Sequence, residues 1–161
     1  MRVYVASPLG FSEAGRDFYN EKLLPLLSSC GCELLDPWAL TPQARTDAVL
    51  QMPYGQERRD AWRKLNTEIG GNNAAAIKSA DMLFAVLDGV DVDSGTAAEI
   101  GYAFGLGKPI LGYRGDFRLA ADNDGATVNL QVEYFILQSG GNIIVAVDQI
   151  EAALAAFDGR L

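Results

Sequence analysis

Apolar residues recur along the chain in two alternating patterns, one typical of strands and one typical of helices. Short runs rich in β-branched and aromatic residues predict strands at Arg2–Ala6, Cys32–Leu35, Met82–Leu87, Pro109–Tyr113 and Asn142–Val145. Apolar residues at helical spacing predict helices at Ser12–Ser29, Gln56–Ala80, Gly95–Leu106, Asn129–Gln138 and Asp148–Phe157. Because strands and helices alternate, we predict an α/β fold: a doubly wound, flavodoxin- or Rossmann-like five-stranded parallel sheet flanked by helices.

Local signals refine this prediction. The run Met82–Leu87 is apolar throughout, so we expect it at the centre of the sheet, buried on both faces. Gly107 and the nearby Pro109 should end the helix before them, and Asp148 is expected to cap the last helix. No repeat, linker or low-complexity stretch interrupts the pattern, so we predict a single domain over residues 1–161.

The loops at the carboxyl ends of the strands are where such sheets bind ligands. They are Ser7–Ser12, Asp36–Gln56, Asp88–Ser94 and Arg114–Val128. Two exceed the usual length of about 4–6 residues, which favours an enclosed substrate, surface decoration being the alternative. We expect the ranges 41–56 and 114–127 to be irregular. Trp38, Met52 and Tyr54 are candidates for lining a pocket there, with core packing as the alternative role for each.

Charge and hydropathy exclude two classes of partner. The chain carries 13 basic and 21 acidic residues, a net charge of −8, with no basic stripe. A nucleic-acid partner is therefore not expected, because neutralising phosphates needs clustered cations. No apolar run approaches the roughly 20 residues that span a bilayer, and the N-terminus does not read as a secretory signal. We expect a cytoplasmic protein without a membrane partner, acting on a small neutral substrate.

The absence of histidine restricts the chemistry further. The sequence has no histidine and two cysteines, Cys30 and Cys32, which are expected to stay reduced. We therefore predict no metal site and no cofactor. Nucleophiles activated by histidine are also excluded. Acid–base and nucleophilic chemistry must fall to Asp, Glu, Tyr or Lys.

A cluster of carboxylates follows the predicted central strand. Asp88, Asp91 and Asp93 lie in the loop, and Glu99 is expected within about the first turn of the next helix. An acidic residue there can simply complement the helix dipole, an effect of about 0.3–1 kcal/mol. However, small residues surround Glu99 and allow a ligand to approach: Ser94, Gly95, Thr96, Ala97, Ala98 and Gly101. A carboxylate kept ionised by a helix N-terminus can attack the anomeric carbon of a sugar and form a glycosyl ester.

An amide is expected near these carboxylates. Asn73 lies about 12 Å before the end of the long helix, at 1.5 Å per residue, which places it near the carboxyl edge of the sheet. It shares the sheet-facing stripe of Ile69, Ala76, Ile77 and Ala80. Its side chain is predicted either to bond the edge of a base or to cap loop backbone.

With these residues in view, the sequence resembles the nucleoside 2-deoxyribosyltransferase family. The resemblance covers most of the chain and rests on four motifs, of which the third is fairly specific. They are Arg2–Pro8 (RVYVASP), Asn73–Asp81 (NAAAIKSAD), Asp93–Ile110 (DSGTAAEIGYAFGLGKPI) and Asn129–Leu130 (NL).

The resemblance implies a role for each matched residue. Glu99 looks like the nucleophile that forms the 2-deoxyribosyl-enzyme, and Tyr4 like the tyrosine that orients it. Asp93 matches an aspartate of the sugar and catalytic pocket, and Asn73 a base-contacting position. Asn129 resembles an asparagine that a neighbouring subunit donates to the sugar 5′-hydroxyl, which implies a homo-oligomer, a dimer or a hexamer.

The implied reaction exchanges the bases of nucleosides in two steps with net retention at the anomeric carbon. Ser7 and Gly95, within the matched motifs, are expected to contact the substrate. Asn73 cannot donate a proton as an aspartate can, so water or Asp93 is left to protonate the departing base. Nucleosides and free nucleobases are the expected partners.

Two alternatives remain open at this stage. A nucleoside 5′-monophosphate N-glycosidase would bind phosphate in the loop Gly10–Gly15, with Ser12, Arg16 and a helix start. An aspartate at position 93 beside a phosphate disfavours that hydrolase. A non-catalytic nucleotide-binding sensor is the other alternative, although no phosphate-binding glycine motif follows a predicted strand.

Overall fold

The sheet has five parallel strands, as predicted. The structure is a computed structural model that describes residues 1–158, so the final residues of the predicted domain lie outside the described residues. The strands are β1 (Arg2–Ala6), β2 (Glu33–Leu35), β3 (Met82–Val86), β4 (Ile110–Tyr113) and β5 (Asn142–Ile144). Their order, β2-β1-β3-β4-β5, is the doubly wound order of flavodoxin-like sheets, which confirms the predicted fold class.

Helices cover both faces of this sheet. They are α1 (Glu13–Phe18), α2 (Leu24–Ser29), α3 (Pro37–Leu40), α4 (Gln43–Leu50), α5 (Gln56–Ser79), α6 (Ser94–Gly105), α7 (Leu130–Gln138) and α8 (Ile150–Asp158). A π-helical turn, Tyr19–Leu23, joins α1 to α2, so the single helix predicted for Ser12–Ser29 is interrupted in its middle. Such turns inside helices occur frequently at functional sites.

The core lies in two layers, one on each side of the sheet. All five residues of β3 are buried, as expected for a central strand. Met82, Phe84 and Val86 face the layer that contains the π-helical turn, α2 and α8. Leu83 and Ala85 face the layer formed by α5, α6 and α7. Tyr4 of β1 belongs to this second layer, the one that contains α6.

Two local predictions were wrong. The range 41–56 contains a regular helix, α4 (Gln43–Leu50), which was not predicted. It buries no residue fully, so the apolar periodicity that identifies an amphipathic helix is missing from its sequence. Asp148 does not cap the last helix, because it lies inside a 3-10 turn, Val147–Gln149, that precedes α8.

Helix length and hydropathy bear on membrane insertion. Within residues 1–158, no helix combines the length and the apolar character needed to cross a bilayer.

Gly141 lies very close to the backbone of a neighbouring strand. A Cβ at this position, just before β5, would lie 1.7 Å from the carbonyl oxygen of Ile110 and 2.7 Å from its carbonyl carbon. Because the obstacle is backbone at the start of β4, it cannot rotate away as a side chain would. We expect Gly141→Ala to lower the free energy of unfolding by about 2–4 kcal/mol, measured by urea denaturation.

Gly71→Ala is the matched control for this prediction. Gly71 lies within α5, and a Cβ there would meet no atom within 4 Å. Alanine is the better helix former by about 1 kcal/mol, so this variant should match or exceed the stability of the native chain. Equal unfolding free energies for the two variants would contradict the prediction for Gly141.

Candidate active site

One pocket at the carboxyl edge of the sheet collects most of the predicted site residues. It has a volume of about 470 Å³ and is lined by Ser7, Asn73, Asp93, Gly95 and Glu99. The remaining lining residues are Phe11, Pro37, Trp38, Thr41, Gln43, Thr46, Ile69 and Thr96. The pocket therefore lies among the loop after β1, the α3–α4 segment, the middle of α5 and the start of α6.

Glu99 is held by a tyrosine from the central part of the sheet. Tyr4 lies on β1 and is fully buried, and its hydroxyl donates a hydrogen bond of 2.6 Å to Oε1 of Glu99. Because Tyr4 is fixed by the sheet and Glu99 by α6, the carboxylate has a defined orientation at the pocket wall. The resemblance implies that Tyr4 orients the nucleophile, and this role stays a prediction.

The environment of Glu99 differs from the one expected. α6 begins at Ser94, so Glu99 is its sixth residue, and the first turn contains no acidic residue. The expectation that the helix N-terminus keeps Glu99 ionised was therefore wrong, because the dipole acts within the first turn. Burial raises the pKa of Glu99, the hydrogen bond from Tyr4 lowers this pKa, and the charge of Asp93 raises it further. Tyr4 is thus the group that favours the ionised carboxylate.

Asp93 ends the loop between β3 and α6. It is the N-cap of α6, with Oδ2 accepting bonds from the backbone N–H of Thr96 at 3.0 Å and from the Thr96 hydroxyl at 3.4 Å. Gly95 follows in the first turn, where a Cβ would lie 3.0 Å from the same Oδ2. The small residues expected around the carboxylates therefore keep the space beside Asp93 open.

Asn73 supplies a buried acceptor with no donor. Across residues 1–158, its Oδ1 is a buried side-chain oxygen that receives no hydrogen bond. Leaving such an atom unsatisfied costs about 1–3 kcal/mol, which a ligand N–H would offset. The alternative in which Asn73 caps loop backbone has no support, because no backbone N–H reaches this oxygen. The amide lines the pocket, as the position of Asn73 on α5 predicts.

A comparison with known families identifies the chain. The family model described as nucleoside 2-deoxyribosyltransferase matches residues 3–133, a range that includes the whole pocket. The chain belongs to the nucleoside 2-deoxyribosyltransferase family. Membership supports an enzyme that acts on N-glycosidic bonds of nucleosides. A search of curated proteins finds no match.

Solved structures share the fold of this family member. A 2-deoxyribosyltransferase from Bacillus psychrosaccharolyticus is 24% identical, with a TM-score of 0.62 over 94% of this chain and 90% of that one. A 2-deoxyribosyltransferase from Leishmania mexicana is 24% identical, with a TM-score of 0.62 over 97% and 95%. A CMP N-glycosidase from Clostridium botulinum is 20% identical, with a TM-score of 0.56 over 97% and 99%. At these identities the likeness establishes the fold.

Asn129 does not join the pocket of its own chain. It caps α7, where its Oδ1 accepts bonds from the backbone N–H groups of Gln131 at 3.0 Å and Val132 at 3.4 Å. It lies beside Asp91 and Asp122 in a separate, shallow depression. Within one subunit, this family member thus brings together six of the seven predicted residues, counting Tyr4 through its bond to Glu99.

Several pocket residues were missed by sequence reasoning. Of the three candidates considered for the long loop, Trp38 lines the pocket, whereas Met52 and Tyr54 do not. Tyr54 is 92% exposed, so neither pocket lining nor core packing describes it. Asp36 followed by Pro37 is the signature of a helix start and could have located α3. Gln43 and Thr46 lie on α4, whose sequence has no apolar periodicity, so no sequence pattern placed these two residues at the pocket.

Proposed function

We propose that this chain is a nucleoside 2-deoxyribosyltransferase that exchanges the bases of 2′-deoxynucleosides through a covalent intermediate on Glu99. The observation that carries the proposal is the Glu99 carboxylate, which lines the pocket while Tyr4 donates to its Oε1 at 2.6 Å. With Oε1 engaged, Oε2 is the oxygen we assign as the nucleophile. No metal or cofactor is needed for this chemistry.

The first step breaks the glycosidic bond. Oε2 attacks C1′ of the deoxyribose, the C1′–N bond breaks, and its electron pair leaves with the base. The base takes up a proton, from water or by way of Asp93. In the second step a nitrogen of another base attacks C1′, loses its proton, and returns the carboxylate. Two inversions at C1′ give net retention of configuration.

The other pocket residues bind the two halves of the substrate. Asn73 accepts a hydrogen bond from a base N–H at its unsatisfied Oδ1. Asp93 binds the sugar side near Glu99, and Ser7 and Gly95 contact the substrate from the loop after β1 and the start of α6. This division places the base beside α5 and the sugar beside α6.

The charge of the pocket favours a nucleoside over a nucleoside 5′-monophosphate. Among residues 1–158, no lysine or arginine lines the pocket, whereas Asp93 and Glu99 do. The loop proposed for phosphate is also engaged: Ser12 caps α1 through the N–H of Gly15, and Arg16 donates to the carbonyl of Gly10. A phosphate dianion would meet two carboxylates without a countercharge.

We also propose that the active enzyme is a homo-oligomer, a dimer or a hexamer, in which Asn129 completes a neighbouring pocket. Apolar side chains near its depression support this. Phe117 and Leu119 are 95% and 96% exposed, and Val90, which lines the depression, is 78% exposed. The Arg114 guanidinium bonds the carbonyl oxygens of both Gly89 and Arg118, so the two segments that carry these residues are adjacent. Exposed apolar residues grouped in this way are typical of protein–protein contacts.

A base-exchange assay tests the proposed function. Purified protein is incubated with a 2′-deoxynucleoside and a different free base, and products are separated by chromatography. We expect the new deoxynucleoside to form faster than the starting deoxynucleoside is hydrolysed to free sugar and base. The matching 5′-monophosphate should react poorly. Release of base from the monophosphate alone would instead indicate an N-glycosidase, and the absence of both reactions would indicate a binding domain.

A further inference from the structure

A second tyrosine–carboxylate pair lies next to Tyr4 and Glu99. Tyr19, in the π-helical turn, is 2% exposed, and its hydroxyl donates a 2.8 Å hydrogen bond to Oδ1 of Asp36. Asp36 follows β2 and caps α3, accepting the backbone N–H of Trp38 at 3.0 Å through the same Oδ1. The buried tyrosine is thereby connected to the first turn of α3, the helix that carries Trp38 into the pocket.

Trp38 is held by three further contacts. Its indole Nε1 donates to the carbonyl oxygen of Ser7 at 3.2 Å. Its ring lies flat over Gly10, where a Cβ would be 2.2 Å from the indole Cε2, so this approach requires glycine. Phe11 meets the ring edge-on, with the ring centroids 4.8 Å apart. Three residues of this assembly, Ser7, Phe11 and Trp38, line the pocket.

The hydrogen bonds of Asp36 join it to Tyr19 and to the start of α3. Asp36 accepts from the Tyr19 hydroxyl and from the backbone N–H of Trp38, whereas Glu99 accepts from the Tyr4 hydroxyl. α3 is a single helical turn and Trp38 is 41% exposed, so few packing contacts fix the indole on its outer side. The direction of the Trp38 ring therefore depends on how the start of α3 is held, together with its contacts to Ser7, Gly10 and Phe11.

We propose that Tyr19 and Asp36 are positioning residues that fix the Trp38 wall of the pocket and so determine substrate affinity rather than the chemical step. The kinetic part of this inference rests on the proposed base exchange. The structural part, that the pair immobilises Trp38, does not depend on it.

Steady-state kinetics test the first part. We expect Tyr19→Phe and Asp36→Ala each to raise KM for the deoxynucleoside about five- to twentyfold while kcat stays within about twofold. Asp36→Asn keeps an oxygen that can accept both bonds, so it should restore KM to within about twofold of the native value. Tyr54→Phe, which removes a hydroxyl from an exposed tyrosine outside the pocket, is the matched control and should change neither constant.

Fluorescence quenching tests the second part without any activity. The chain has two tryptophans, so a Trp62→Phe background leaves Trp38 as the reporter. We expect the acrylamide quenching constant to rise about twofold in Tyr19→Phe and Asp36→Ala and to stay native-like in Asp36→Asn. If the native protein exchanges no bases, the proposed function fails while this measurement still decides the positioning role.

Other outcomes overturn the inference. A fall in kcat at constant KM would assign the pair to the chemical step instead. Equal KM and quenching constants in Asp36→Ala, Asp36→Asn and the native protein would show that Trp38 does not depend on the pair. Thermal melting of each variant identifies one that fails to fold, and the two Asp36 variants then decide without Tyr19→Phe.

Discussion

Glu99→Gln is expected to reduce base exchange by a factor on the order of 10⁴ or more. The amide has nearly the size of the carboxylate and can still accept the hydrogen bond from Tyr4, so the pocket should keep its shape. It carries no negative charge, however, and cannot form the sugar ester or stabilise the positive charge that develops at C1′. The loss should therefore appear in kcat, with substrate binding largely retained.

A matched variant and a trapping experiment make this result specific. Glu57→Gln makes the same chemical change at an exposed first-turn position of α5, outside the pocket, and should leave exchange unchanged. Native protein mixed with a deoxynucleoside and no acceptor base should show a 2-deoxyribosyl group on the peptide containing Glu99 by mass spectrometry. Full exchange by a folded Glu99→Gln protein would contradict the assignment of the nucleophile.

The parts of the fold that the sequence predicts correctly are those with a strong one-dimensional signal. Met82–Val86 is apolar at every position, and this alone predicts a central strand buried on both faces. Gly107 has a φ of +71°, which agrees with its predicted role just beyond the end of α6. The position of Asn73 at the pocket was predicted correctly, because the rise per residue of helices and strands fixes how far along α5 the sheet edge lies.

The missing parts depend on contacts between distant segments. The bond between Tyr19 and Asp36 joins residues 17 positions apart, and the orientation of Tyr19 results from a π-helical turn that the 3.6-residue period does not predict. α4 buries too little surface to produce a periodic signal. The group that favours the ionised form of Glu99 was misjudged for the same reason, because Tyr4, the residue that donates to its carboxylate, lies 95 positions away in the sequence.

Tyr4→Phe is expected to shift the pH dependence of exchange toward higher pH. Glu99 must be ionised to attack, and burial raises its pKa above that of an ordinary glutamate, so kcat/KM should fall as the pH decreases through this raised value. The Tyr4 hydroxyl lowers the pKa of Glu99, so removing the hydroxyl raises this pKa further. At neutral pH we expect a loss of about ten- to a hundredfold, the effect of one hydrogen bond to a charged group.

Asp93→Asn is expected to shift the pH dependence of exchange in the opposite direction, toward lower pH. The charge of Asp93 raises the pKa of Glu99, so neutralising Asp93 should lower this pKa and move the acid limb of kcat/KM toward lower pH. Asparagine is as good an N-cap as aspartate, so α6 should retain its start. Exchange will also slow, because Asp93 lies on the sugar side. The pH at which kcat/KM falls can still be measured, because it does not depend on the maximal value of kcat/KM. Limbs that move in the same direction in the two variants would exclude Glu99 as the titrating group, since a single carboxylate responds to a lost donor and a lost negative neighbour in opposite ways.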